Sequence, residues 1–144
     1  MVALLLALLE HPAHVAEVEK CLKARGYEVV VVNCFSAAME SLNTRRFDLI
    51  ISDVHLENGG SIFDFLKWTK SQKRFQGIPF ALFSLEPTAI AKYLAEGVEA
   101  TARVFGAAKY ITMDVFDPVI LSDAITELLP VRINVPLIKT NVGE

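Results

Sequence analysis

The sequence predicts an α/β protein built on a parallel β-sheet with helices on both faces. Short apolar runs alternate along the chain with segments in which apolar residues recur at helical spacing, as in successive strand and helix units. The runs lack the alternation of a half-exposed strand, so both faces of each strand are expected to be buried, as in parallel sheets. With 144 residues and 53% hydrophobic residues, the chain can form one domain with a large core. We expect that domain to span residues 1–129.

The first two units lie in the first third of the chain. Residues 2–9 form an apolar run that predicts the first strand. Pro12 suits the first turn of the following helix, because its missing N–H would have no partner there. Residues 27–32 are rich in valine and predict the second strand. Ser36 is expected to cap a short helix that ends near Arg46.

The third unit begins with an apolar strand at residues 47–54. Ser61 and Asp64 have the spacing of a capping box and predict the start of the next helix. The aromatic residues of this helix are at helical spacing and are expected in the core. Residues 78–84 predict the fourth strand, with a proline tolerated near its start.

The last part of the pattern predicts two helices with a strand between them. Residues 88–105 predict a long helix, which Gly97 could interrupt because glycine disfavours a helix interior. Residues 109–113 predict a short fifth strand and residues 117–129 a final helix. Each parallel crossover needs a helix-length connection, so the expected topology is doubly wound and flavodoxin-like, with strand order 2-1-3-4-5.

Residues 130–144 differ from the rest of the chain because apolar and polar residues alternate after a proline. One interpretation is an extended C-terminal tail or linker. The other is a strand that adds to a sheet edge or to a partner, confined to an edge by Pro136. The sequence leaves both open.

Charge and composition exclude several classes of partner. The net charge is −3, and the chain has no cluster of basic residues beyond Arg45 and Arg46, which argues against nucleic acid as a direct partner. The N-terminal apolar run is about half the length that a membrane-spanning helix needs. We therefore expect a cytoplasmic protein with reduced thiols at Cys21 and Cys34 and no membrane association.

Polar side chains follow the predicted strands at one edge of the sheet. Glu10 follows the first strand, Asp53 ends the third, and Ser84 ends the fourth. In parallel α/β sheets, ligands bind at this carboxyl edge. Two carboxylates can hold Mg²⁺ together with waters and phosphate oxygens, and a carboxylate can accept a phosphoryl group as an acyl phosphate. The histidines, His11, His14 and His55, are too scattered in the sequence to predict a zinc site.

Three segments, taken in order, resemble the receiver domain of two-component response regulators over residues 2–129. They are residues 47–53 (FDLIISD), 105–111 (FGAAKYI) and 116–118 (FDP). The resemblance implies that Asp53 is the phosphoacceptor, that the Ser84 hydroxyl contacts the phosphoryl group and that Tyr110 is the switch residue. It also implies an Mg²⁺ site formed by Glu10, Asp53 and the backbone carbonyl of His55.

The sequence departs from the family pattern around this site. Leu9 stands where the family has one of two acidic residues, and Met113 stands where it has a lysine. Leu85 and Glu57 replace a small residue and a proline. Because phosphoryl transfer depends on charge neutralisation, we expect weak Mg²⁺ binding and slow, unstable or absent phosphorylation of Asp53.

Three functions follow from these features. The first is a signalling receiver that takes a phosphoryl group from a histidine kinase or phosphotransfer protein and acts on a downstream effector or on a second copy of itself. The second is a pseudo-receiver that binds partners without phosphate. The third, a small phosphatase or phosphotransferase with a carboxylate nucleophile, is disfavoured because short loops leave little room for a substrate. We therefore expect a protein that is not an enzyme.

Overall fold

The computed structural model describes residues 2–54 and 61–129. Five parallel strands form one sheet in the order β2-β1-β3-β4-β5. The predicted fold class and strand order are confirmed. The elements in chain order are β1 Leu4–Leu8, α1 Pro12–Ala24, β2 Glu28–Val32, α2 Phe35–Thr44, β3 Leu49–Asp53, α3 Ile62–Ser71, β4 Phe80–Leu85, α4 Ala89–Val104, β5 Lys109–Met113 and α5 Pro118–Leu128.

Two apolar layers cover the sheet, one on each face. Alternate residues of β1 point to opposite layers, so Leu5 packs with α1 and α5, whereas Leu6 packs with α2, α3 and α4. Every residue of β1, β3 and β4 is buried. The continuous apolar runs of the sequence therefore reflect strands buried on both faces.

Asp48 holds the amino end of β1 against β3. Its Oδ2 accepts a hydrogen bond from the backbone N–H of Leu4 at 2.8 Å, and its own N–H donates to the Leu4 carbonyl at 2.8 Å. Leu5 lies opposite Leu49 in the resulting register. A charged acceptor at this position strengthens the alignment of the two central strands.

Helix ends mostly match the prediction, with one correction. Ser61, Thr88 and Asp117 each accept a backbone N–H at the start of α3, α4 and α5. Ser36 is not the cap of α2: the helix begins at Phe35 with Cys34 as N-cap, because the chain leaves its extended conformation two residues earlier than expected.

The long helix α4 continues through Gly97 without the break that the sequence suggested. Gly97 lies in open space, where the absence of a side chain costs helix propensity but creates no kink. The length of α4 accounts for the long segment between β4 and β5. None of the helices in the described ranges is long and apolar enough to cross a membrane.

The aromatic residues of α3 pack in the core, as predicted. The ring of Phe65 stacks on that of Phe35, with centroids 5.3 Å apart, and lies 5.7 Å from that of Phe80. Trp68 stacks on the other side of Phe65 at 6.1 Å. This cluster fixes α2 and α3 on the same face of the sheet.

Glu86 and Gly106 adopt backbone conformations with positive φ. Glu86, just after β4, has φ 53° and donates its N–H to the Met113 carbonyl at 2.8 Å. Gly106, after α4, has φ 108°, and a Cβ there would lie 2.9 Å from Cγ of Lys70. Of the two, Glu86 is strained, because the left-handed region is unfavourable for residues other than glycine.

The predicted tail at residues 130–144 lies outside the described residues.

Candidate functional site

A cleft of about 390 Å³ lies at the carboxyl edge of the sheet, where β1, β3 and β4 end. Its lining includes His11, His14, Asp53, Ser84 and Glu86. Its volume falls at the lower end of the range of small-molecule sites. The first turn of α1 and the segment after β4 form its walls, which creates depth without long loops.

Asp53 is the last residue of β3 and is only 5% exposed. Its Oδ2 accepts a hydrogen bond from the backbone N–H of Glu10 at 3.0 Å. Burial raises the pKa of the carboxyl; the Glu10 N–H and the imidazoles of His14 and His11 oppose this effect, and the Glu10 carboxylate adds to it. Burial prevails, so the charged form is less favourable here than in water.

Glu10 and Asp53 lie close together, as predicted. The Glu10 backbone N–H donates to the Asp53 carboxylate, and the two carboxylates interact through their charges. Two neighbouring carboxylates satisfy the minimum that Mg²⁺ uses in proteins, where waters and phosphate oxygens complete the octahedron. Within residues 2–54 and 61–129, no group of three His, Cys, Asp or Glu side chains is arranged to hold a metal. The carboxylates of Glu10 and Asp53 fit a magnesium site whose remaining ligands are waters or phosphate oxygens. The third predicted ligand, the His55 carbonyl, lies outside the described residues.

Ser84 and Tyr110 connect this cleft to a neighbouring one. Ser84 is buried in β4 and lines the Asp53 cleft, whereas Tyr110 of β5 lines an adjacent cavity of about 320 Å³ beside α4. Burial raises the pKa of Tyr110, a hydrogen-bonding contact with the Ser84 side chain lowers it, and the charge of Glu99 raises it further. A hydroxyl that lines the Asp53 cleft is thus in contact with Tyr110, the predicted switch residue.

Apolar residues occupy the positions where the family pattern has charged or small groups. Leu9, Leu85 and Met113 are all buried in the layer next to α1 and α5. The Met113 sulfur accepts the N–H of Asp117 at 3.3 Å, which fixes the side chain at the start of α5. No Lys or Arg is among the described residues that line the Asp53 cleft.

Two lysines near the last strand are paired with carboxylates. Lys92 of α4 pairs with Asp114 at 2.8 Å, and Lys109, at the amino end of β5, pairs with Glu127 at 2.6 Å. Lys92 lines the Tyr110 cavity rather than the Asp53 cleft. Neither lysine is among the described residues that line the Asp53 cleft.

Two histidines enter the site that the sequence did not assign to it. His11 is the N-cap residue of α1 and His14 lies in its first turn, with ring centroids 5.0 Å apart. Both imidazoles are close enough to Asp53 to affect its pKa. Nδ1 of His14 is buried and has no hydrogen-bond partner in the described part of the chain. Their three-residue spacing after the end of a strand was the available signal.

A larger cavity of about 570 Å³ lies at the opposite edge of the sheet. Arg45 and Arg46, the basic pair noted in the sequence, line it together with Arg74. Arg74 donates to Oδ1 of Asn43 at 2.6 Å and lies over the Phe75 ring. The described lining of this cavity contains one carboxylate, Asp48, which is already bound to the Leu4 N–H.

No protein-family model and no curated protein match the sequence. Solved structures do match. The chemotaxis response regulator CheY4 of Vibrio cholerae has a TM-score of 0.75 at 24% identity, over 90% of this chain and 100% of that chain. The signal receiver domain of a histidine kinase from Syntrophus aciditrophicus has a TM-score of 0.73 at 23% identity, over 89% and 90%.

A third match is the receiver domain of a sensor histidine kinase from Pseudomonas aeruginosa, with a TM-score of 0.73 at 20% identity, over 89% of this chain and 98% of that chain. That domain has a magnesium ion coordinated in its active-site cleft. The chain described here thus has the fold of CheY-like receiver domains, and the resemblance drawn from the sequence is confirmed at the level of the fold.

Proposed function

We propose that this chain is an atypical receiver domain of two-component signalling, in which Asp53 accepts a phosphoryl group. The observation that carries the proposal is the position of Asp53: a buried carboxylate at the carboxyl end of the central strand β3, beside Glu10 and in a cleft with Ser84. A cap or turn residue would not require a cleft in front of it. The likeness to receiver domains supports the same assignment.

In the proposed reaction, an Asp53 carboxylate oxygen attacks the phosphorus of a phosphohistidine or a small acyl phosphate. The bond from phosphorus to the donor nitrogen or oxygen breaks, and the leaving group keeps the electron pair. A leaving imidazole takes a proton from water. The product is an aspartyl phosphate, which water later hydrolyses to free carboxylate and inorganic phosphate.

The residues around Asp53 have distinct roles in this proposal. The Glu10 backbone N–H orients the carboxylate, and the Ser84 hydroxyl donates to a phosphoryl oxygen. When Mg²⁺ is bound by Glu10 and Asp53, it neutralises charge on the phosphoryl oxygens. Because Ser84 contacts Tyr110, movement of the serine toward the phosphoryl group changes the environment of the tyrosine.

The proposed partners follow from this chemistry. A histidine kinase or phosphotransfer protein supplies the phosphoryl group, and a downstream effector or a second copy of the chain responds to the Tyr110 side. We place the protein in the cytoplasm and assign it no enzymatic turnover of a small substrate. Residues 130–144 would act as a tail or linker, or as an added strand.

The second candidate is a pseudo-receiver that binds partners without phosphate. Two observations favour it: the described lining of the cleft contains no Lys or Arg, and burial raises the pKa of Asp53. Both oppose the accumulation of negative charge at the acceptor. This candidate differs from the first in a single property, the formation of an Asp53 adduct.

Beryllofluoride with Mg²⁺ tests the proposal, because it forms a stable mimic of aspartyl phosphate. We expect a bound ¹⁹F resonance in the wild-type chain and none in Asp53→Asn, which keeps the side-chain shape and an acceptor for Glu10. Glu10→Gln removes one of the two carboxylates proposed to bind Mg²⁺, so this variant should need a higher Mg²⁺ concentration to form the adduct. If no adduct forms and the chain has no affinity for Mg²⁺ at millimolar concentration, the acceptor function is wrong and the pseudo-receiver stands.

A further inference from the structure

The Asp53 cleft needs a hydrogen-bond donor for the phosphoryl group, and the usual source is absent from this sequence. Met113 is buried, and its sulfur is bound to the Asp117 N–H. Ser84 supplies one hydroxyl. Thr88, which also lines the cleft, accepts from the Ala91 N–H as the cap of α4, and its own hydroxyl can still donate. A dianionic phosphoryl group held only by hydroxyl donors would be poorly stabilised.

We propose that His14, with His11 beside it, forms a binding subsite for phosphoryl oxygens on the α1 side of the cleft. The inference rests on the proposed function, because the ligand is the phosphoryl group on Asp53 or a mimic of it such as beryllofluoride. The subsite replaces a donor on β5 with donors on the first turn of α1. Nothing in the sequence motif of the fold requires histidine at either position.

The first observation for this subsite is position. α1 starts with Pro12 shortly after β1 ends at Leu8, which brings its first turn to the carboxyl edge of the sheet. His11 and His14 both line the cleft that contains Asp53, and both interact electrostatically with its carboxyl group. Groups that are sensed by the carboxylate lie close enough to be sensed by a phosphoryl group attached to it.

The second observation is the unmet hydrogen-bonding capacity of His14. Its Nδ1 is buried and has no partner among the described residues. Buried polar atoms of native proteins are nearly always paired. Because the His14 ring lines the cleft, we expect a small reorientation of the ring to give this nitrogen a partner when a ligand is bound. A neutral imidazole still carries one N–H, so donation by His14 does not depend on protonation.

The third observation is that other described side chains around the cleft are already engaged or carry the wrong charge. Lys92 pairs with Asp114 in the adjacent cavity. Glu86 faces the cleft as a carboxylate, which repels an anion. The imidazoles are therefore the nitrogen donors that the described side chains of this cleft offer.

Titration of the full chain with beryllofluoride in the presence of Mg²⁺ tests the subsite through three variants. His14→Ala removes the donor, and we expect the affinity for beryllofluoride to fall about tenfold. His14→Gln keeps an N–H donor on a side chain of similar reach and should recover most of that loss. Lys20→Ala, an exposed position of the same helix, is the matched control and should bind as the wild type does.

A second measurement separates a binding role from a structural one. We expect the ring resonances of His14 to shift when beryllofluoride binds to the wild type, and not in Asp53→Asn. If the wild type forms the adduct but His14→Ala binds equally well, or the His14 ring does not respond, the subsite is wrong while the proposed function stands. If the wild type forms no adduct, the proposed function fails and the subsite fails with it. Thermal melts of each variant establish that it is folded.

Discussion

Replacing Asp53 should reveal how the fold tolerates a buried carboxylate. Asp53→Asn removes the charge but keeps an oxygen that can accept the Glu10 N–H. Because burial raises the pKa of Asp53, the folded state binds the proton more tightly than the unfolded state does. Stability therefore falls as the pH rises from the ordinary aspartate range through the raised pKa, and stays lower above it. We expect Asp53→Asn to be more stable than the wild type at pH 7.

Asp53→Ala gives the complementary measurement. It removes the charge and also leaves the Glu10 N–H, which now bonds at 3.0 Å, without an acceptor. An unsatisfied donor costs about 1–3 kcal/mol when buried, and Glu10 is half-buried, so the cost should lie near about 1–2 kcal/mol. For a chain of this size, that corresponds to a melting temperature lower by about 4 °C per kcal/mol than that of Asp53→Asn.

Urea unfolding followed through Trp68, the single tryptophan, measures these differences. The gap between Asp53→Asn and the wild type should close as the pH falls below the ordinary aspartate range, because both states of the wild type are then protonated. The gap between the Asn and Ala variants should persist at every pH. A wild type that is more stable than Asp53→Asn at pH 7, or a gap that widens in acid, would refute the reasoning.

Three further substitutions test the packing and the backbone by urea unfolding at neutral pH. Phe65→Ala should lower the free energy of unfolding by about 3–5 kcal/mol, because it removes a buried ring that stacks on two others and makes a tilted contact with a third. A loss under about 1 kcal/mol would mean that the cluster is not packed as described. Glu86→Gly should raise the free energy of unfolding by about 0.5–1 kcal/mol, because relief of the left-handed φ exceeds the entropic cost of glycine. A net loss of stability would contradict that conformation. Gly106→Ala should cost about 1–3 kcal/mol through its φ of 108° and the close approach of Lys70, so a neutral result would place the turn elsewhere.

The order of elements could be predicted because it depends on patterns that the chain repeats. The strands have continuous apolar runs, and each helix between them has its own apolar stripe. The N-cap of α2 was misplaced because serine is a frequent cap, whereas the observed start at Cys34 depends on where the chain leaves β2. Gly97 misled in the other direction, since tertiary packing of the remaining turns outweighs one poor helix former.

The site was predictable where strand ends alone determine it and not where a helix turn does. Asp53 and Glu10 end neighbouring strands, so their proximity follows from strand order. The contribution of His11 and His14 depends on how the first turn of α1 is placed over β3, which no local pattern records. His11 and His14, which are too scattered in the sequence to predict a zinc site together with His55, thus prove to be neighbours of the Asp53 carboxylate.

Two aspartates lie at the two ends of the segment that contains β3. One binds the backbone of the first residue of β1, and the other binds the backbone two residues beyond its last. Asp48 binds the N–H of Leu4, and Asp53 binds the N–H of Glu10. A run of leucines can slide by one residue with little loss of apolar burial, because either face would still meet an apolar layer. The hydrogen bonds to these two carboxylates oppose such a shift at both ends of β1. A phosphoryl group on Asp53 would compete for the hydrogen bond from the Glu10 N–H, so modification of this residue would also affect the alignment of the central strands.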